Sequence, residues 1–176
     1  MMGGVWFLSY EQFQWVRPGP EALVISISDR FYEAEVEPGF AAVLRLRFSD
    51  VDPAREAVPR VAECFTPDQA SDLVAWCDRW LERGRYAHVF VHCWAGRSRS
   101  AAIAWWISKQ YHMHLRTAFT VRFMNAHVLR HLPGNHALPE PSELAPGTDA
   151  VRSLGELFVP LSFLVPFGPT EIGLDA

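Results

Sequence analysis

Between Ala87 and Trp106 the chain reads AHVFVHCWAGRSRSAAIAWW: an apolar, β-branched run, a polar turn holding one glycine, then small and apolar residues. A short apolar run without polar alternation is the pattern of a strand covered on both faces. Such strands belong to parallel sheets, and parallel neighbours need long crossovers, usually helices. The flanking segments agree. ALVISIS (22–28) is a second short β-branched run, and AAVLRLRF (41–48) alternates apolar and basic residues as a strand does. TPDQ (66–69) is a helix start: Thr66 caps, Pro67 suits the first helical position and Gln69 closes a capping box. That helix carries Leu73, Trp76, Cys77 and Trp80 on one face and stops near Gly84. A helix is expected from about Ser98, and an amphipathic one over about Leu115–Arg130, with Leu115, Phe119, Phe123, Ala126 and Leu129 on one side.

Strands alternating with helices predict an α/β fold in one domain, a central and mainly parallel sheet flanked by helices. Residues 1–21 end in the loop signal RPGPE and read as an N-terminal extension; 22–136 read as the core, and 137–176 as a Pro-rich tail packed on or extending from it. The 176 residues suffice for one well-formed core, and 49% of them are apolar, which is globular rather than disordered. A net charge of −4 gives no global pull toward nucleic acid or an anionic membrane, so neither is an expected partner. No apolar run is long enough to span a bilayer, and MMGGVWFLSY lacks the basic start of a signal peptide. Three cysteines, Cys64, Cys77 and Cys93, lack the even, regular spacing of a disulfide framework, and no Cys/His set has zinc spacing. A cytoplasmic location without metal or cofactor is the expectation. His112, His114, His127, His131 and His136 have no metal-site order and read as surface or helix-end residues.

The turn between the third strand and its helix concentrates chemistry. Ligands in parallel sheets sit beyond the carboxyl ends of strands. Cys93 stands at such an end, facing the N-terminus of the following helix, with Arg97 and Arg99 close by. Thiols beside cations or helix N-termini ionise more readily than free cysteine. Gly96 supplies a position that accepts positive φ, so the loop can wrap and converge its amides on one oxyanion. Arg99 offers a planar fork for two phosphate oxygens, in a place where a cation opposes the helix dipole unless an anion sits alongside. Ser98 suits the helix cap.

His92, Cys93, Gly96, Arg99 and Ser100 resemble the H-C-x-x-G-x-x-R-S signature of cysteine-based protein tyrosine phosphatases, and HCWAGRSRS is most similar to the dual-specificity branch through Ala95 and Ser98. The resemblance implies a phosphatase core over 22–136 and hydrolysis of phosphotyrosine in a phosphorylated protein or peptide, with phosphoserine and phosphothreonine as further substrates. It implies that Cys93 attacks phosphorus. Arg99 and the backbone of Trp94, Ala95, Gly96, Arg97 and Ser98 would bind the oxygens. Ser100 would hydrogen bond to the sulfur as it leaves, and the His92 ring would brace the loop by hydrogen bonds to backbone. A general acid is expected on a loop after an upstream strand. LRFSDVDP provides Asp50, with Asp52 as the alternate. Asp68 is already explained by the helix start.

Two alternatives stay open. Arg97 matches a basic position of phosphoinositide phosphatases, so a lipid or small phosphate-ester substrate is the second reading; Trp94, where lipid enzymes carry a basic residue, argues against it. A phosphate-binding module with weak catalysis is the third. Relatives form a reversible disulfide with the nucleophile, which would involve Cys64 or Cys77; Cys77 lies on an apolar helix face and reads better as core. Asn135, in LPGN, resembles an Asn that braces a turn after the last helix of the branch.

Overall fold

ALVISIS is buried at every position, and that fixes where it lies in the sheet. A strand apolar on both faces must be covered on both, so it belongs to the interior. The computed structural model describes residues 4–54, 63–81, 88–116 and 124–134. Its strands are β1 (Gly4–Ser9), β2 (Ala22–Ser28), β3 (Ala42–Arg47), β4 (His88–Cys93) and β5 (His114–Arg116). They form one five-stranded sheet in the order β3-β2-β4-β1-β5. Every pairing is parallel: β1 with β4 and β5, and β2 with β3 and β4.

The helices are α1 (Tyr10–Phe13), α2 (Pro67–Leu81), α3 (Arg99–Gln110) and α4 (Ala126–His131). The strand period of two splits the core into two layers. Val5 and Phe7 of β1, Ile25 and Ile27 of β2 and Val89 and Val91 of β4 pack with Leu73 and Cys77 of α2, Ile103 and Trp106 of α3 and Leu129 of α4. Trp6, Leu8, Val24 and Phe90 face the other way, onto Phe13 of α1, Val16, Val36 and Phe40. The helix start at Thr66 is as read: Thr66 Oγ1 accepts from the Gln69 N–H, and Gln69 Oε1 accepts from the Thr66 N–H. Cys77 is buried, and burial raises its thiol pKa, which suits a packing role.

Two segments differ from the sequence reading. Residues 4–9, read as part of an extension, form β1 between β4 and β5. Five of its six residues are buried, alternately on the two faces, so the strand is needed to complete both layers. The start of the expected helix over 115–130 is instead the edge strand β5, and the helix α4 begins only at Ala126. Asn125 sets that start, because its Oδ1 accepts from the His127 and Val128 N–H groups. Phe119 and Phe123, Asn135, His136 and the tail 137–176 lie outside the described residues. No helix among the described residues is long and apolar enough to cross a membrane.

Candidate active site

Because β1, β2, β3 and β4 are parallel, their carboxyl ends share one edge of the sheet. Ser9 and Cys93 are register partners there, as are Ser28 and Arg47. The chain leaves β4 at Cys93 and enters α3 at Arg99, so residues 94–98 must turn within a strand–helix gap too short for a wandering loop. Gly96 makes this possible. Its φ is +66°, and a Cβ at this position would overlap the Ser9 nitrogen and the Leu8 carbonyl carbon. The turn is therefore pressed onto the end of β1, a contact that only glycine permits.

That compression brings polar groups to the Cys93 sulfur. The Gly96 N–H donates to Sγ at 3.3 Å, and Ser100 Oγ lies 3.2 Å from it. Cys93 and Ser100 are both buried. Arg99, the first residue of α3, is only 5% exposed. Its Nη1 donates to the Phe48 carbonyl at 2.8 Å and lies 3.4 Å from Asp29 Oδ2. Asp29 is itself tied down, since its Oδ1 accepts from the Phe31 N–H. Arg99 Nε, buried, has no hydrogen-bond partner. The guanidinium is thus gripped at Nη1 from the ends of β2 and β3 while its Nε edge is unused. A buried, unsatisfied cationic donor is costly, and an anion with several oxygens satisfies it. The N-terminus of α3 adds its dipole to the same spot.

Asp50 follows β3 and reaches the turn from the α3 side. Its Oδ1 accepts from Ser98 Oγ at 2.7 Å and from Asn125 Nδ2 at 2.9 Å. Asp52 turns elsewhere: its Oδ1 pairs with Arg130 of α4 and accepts from the Ala54 N–H. Of the two expected acids, then, Asp50 is the one hydrogen bonded to the turn. Ser98 stands at the N-cap of α3, but its side chain makes no cap bond; its hydroxyl donates to Asp50.

His92 corrects an expectation. It is register-adjacent to the site, but the period of two sends its side chain to the opposite face from Cys93. The ring stacks on Phe13 with centroids 4.1 Å apart, near Tyr10. Both ring nitrogens are buried without a hydrogen-bond partner. It braces the strand end by stacking rather than by bonding to the loop backbone. Burial, and after it the charge of Arg45, pushes its pKa down to about 3.

Of the remaining expected residues, Trp94 is 59% exposed, and Ala95 and Arg97 are exposed as well. The Trp94 carbonyl accepts from the Tyr10 N–H at 3.2 Å. Its indole meets the Tyr32 ring edge-on at 4.7 Å, and Tyr10 meets Tyr32 at 5.0 Å. Sequence reasoning missed Tyr10, Asp29, Tyr32 and Asn125. Only the first sits near a readable signal, the Ser9–Gln12 capping box that starts α1. No group of three or more His, Cys, Asp or Glu side chains with the geometry to hold a metal ion occurs among the described residues.

The arrangement can seat a tetrahedral oxyanion over a thiol, against a fixed guanidinium, with a carboxyl group alongside. No family model, curated protein or solved structure matches the chain.

Proposed function

We propose that the protein is a cysteine-dependent phosphatase of the protein tyrosine phosphatase type, close to the dual-specificity branch, that hydrolyses phosphate monoesters on protein or peptide substrates. The observation that carries this reading is the turn itself. Cys93 Sγ takes the Gly96 N–H and touches Ser100 Oγ, beside a buried Arg99 whose Nε has no partner. In this reading the phosphoryl group sits on the Nε edge of Arg99 and the N-terminus of α3. The Cys93 thiolate attacks phosphorus as the ester P–O bond breaks. Asp50 gives its proton to the leaving oxygen. Water then attacks the phosphocysteine, the P–S bond breaks, and the Asp50 carboxylate takes the water proton. Ser100 donates to the departing sulfur. Charge neutralisation comes from Arg99 and backbone amides, so the reaction calls for no metal.

An aryl ester suits the surroundings. Trp94 adjoins the nucleophile, and Tyr32 adjoins Asp29, which holds Arg99, so aromatic faces stand beside the proposed phosphate seat. Phosphotyrosine is therefore the leading substrate, ahead of phosphoserine and phosphothreonine. A free thiolate nucleophile also fits a reducing, cytoplasmic setting. The test is turnover of para-nitrophenyl phosphate by wild type, Cys93→Ser and Asp50→Asn. Loss of activity in Cys93→Ser and a fall of about a hundred-fold in Asp50→Asn are expected. Full activity in Cys93→Ser would overturn the reading. Arg97 is the exposed cation of the turn, and a phosphoinositide substrate would require it. Arg97→Ala is expected to leave phosphotyrosyl-peptide turnover intact.

A further inference from the structure

We infer that Asn125 is a positioning residue for Asp50, holding its carboxyl group against the turn from the start of α4; this rests on the phosphatase reading given above. Asn125 is 5% exposed and uses its whole side chain. Oδ1 accepts from the His127 and Val128 N–H groups and caps α4. Nδ2 donates to Asp50 Oδ1 and to the Val51 carbonyl, at 2.9 and 3.3 Å. Its own N–H donates to the Ser98 carbonyl at 3.4 Å. One residue thereby ties together the segment after β3, the last residue of the turn and a helix far along the chain.

Capping alone does not need this residue. Ser, Thr or Asp would cap as well, since only an acceptor is required. What asparagine adds is the pair of amide hydrogens, and these go to Asp50 and its neighbour Val51. The direction of the bonds matters for the chemistry. Both donors to Asp50, Ser98 Oγ and Asn125 Nδ2, meet Oδ1. A carboxyl oxygen accepts such bonds whether or not the group is protonated, so the grip survives the proton's departure. The transferable proton is then carried on Oδ2. General acid catalysis depends on that oxygen lying within hydrogen-bond reach of the leaving group. A carboxyl on a connecting segment needs an external anchor to stay there, and Asn125 supplies it.

The test separates anchoring from capping. Asn125→Ser and Asn125→Asp keep an acceptor for the cap and remove the Nδ2 donor; Asn125→Asp also sets a second carboxylate facing Asp50. Thermal melts identify which variant is folded, and the folded one is assayed with para-nitrophenyl phosphate and with phenyl phosphate, whose leaving group depends far more on protonation. Turnover of phenyl phosphate is expected to fall about ten-fold or more, and that of para-nitrophenyl phosphate much less. Joined to Asp50→Asn, the substitution is expected to cost nothing further. Equal losses on both esters, or additive losses in the double variant, would overturn the proposal. A second readout needs no turnover. In a crystal structure of Asn125→Ser the Asp50 carboxyl group is expected to swing away from Ser98 Oγ, and a carboxyl group left in place would overturn the proposal. If wild type hydrolyses neither ester, the phosphatase reading fails, while this structure still decides whether Asn125 holds Asp50.

Discussion

The two flanks of the Cys93–Ser100 turn are held by different forces. On the α3 and α4 side, Asp50, Ser98 and Asn125 are joined by hydrogen bonds of 2.7 and 2.9 Å, atom to atom. On the α1 side, His92, Phe13, Tyr10, Tyr32 and Trp94 meet through their rings, and the His92 nitrogens bond to nothing. Hydrogen bonds fix direction, so the first flank can aim a proton at one oxygen. Ring packing fills volume and excludes water, so the second can shape the rim and keep an imidazole neutral, but it cannot steer a proton. The polar flank is thus expected to control rate, and the aromatic flank stability and substrate fit.

Gly96 is the pivot between the flanks, and its replacement has the largest expected effect. Gly96→Ala forces a Cβ into the Ser9 and Leu8 backbone at a φ of +66°. A loss of about 3 kcal/mol or more in chemical denaturation is expected, with loss of phosphate-ester turnover. A variant as stable and active as wild type would mean that the turn does not rest on β1.

His92 sharpens the contrast through pH. Its imidazole is held neutral in the fold, with its pKa lowered from 6.5 to about 3. The unfolded chain takes up a proton below about 6.5 that the native chain refuses. The stabilisation is therefore complete above that pH and declines as pH falls from 6.5 toward 3, by up to about 1.4 kcal/mol per pH unit. His88 and His131 are lowered too and act in the same direction. His92→Leu is expected to flatten the slope by one proton while keeping the fold. An unchanged slope would show that His92 is protonated in the native state.

Trp94 carries the smallest effect. With 59% of its surface exposed, Trp94→Ala is expected to change stability by no more than about 0.5 kcal/mol. It is expected to raise KM for an aryl phosphate about three-fold, through loss of ring contact. A collapse of kcat instead would move Trp94 from the rim into the chemistry.

What was readable in the chain follows the same division between local and distant interactions. Residues 88–110 declare themselves because strand, glycine turn and small-residue helix are contiguous, and the Thr66–Gln69 cap is local as well. β1 was not readable as a strand. GVWFLS is buried on both faces, so it shows no alternation, and no turn signal precedes it. β5 is three residues with His and Arg at its ends, too short to carry a period. The spacing of Leu115, Phe119, Phe123, Ala126 and Leu129 suggested one long helix and hid the cap at Asn125 inside it. For the site, Cys93, Gly96, Arg99 and Ser100 lie within one turn and were found together. The segment after β3 favours Asp50 over Asp52 in the sequence, but the Ser98 contact that ties Asp50 to the turn spans 48 positions and shows in no local pattern. Asp29 meets Arg99 of the turn across 70 positions, and Asn125 meets Asp50 across 75, distances over which no local pattern operates.

The central claim is that Cys93 takes the phosphoryl group covalently, and the most direct measurement is mass spectrometry of the protein mixed with para-nitrophenyl phosphate and quenched in denaturant within the time of one expected turnover. The account predicts the mass of one phosphoryl group on the peptide containing Cys93, absent in Cys93→Ser. Continued turnover with that peptide unmodified, or the same adduct in Cys93→Ser, would contradict it.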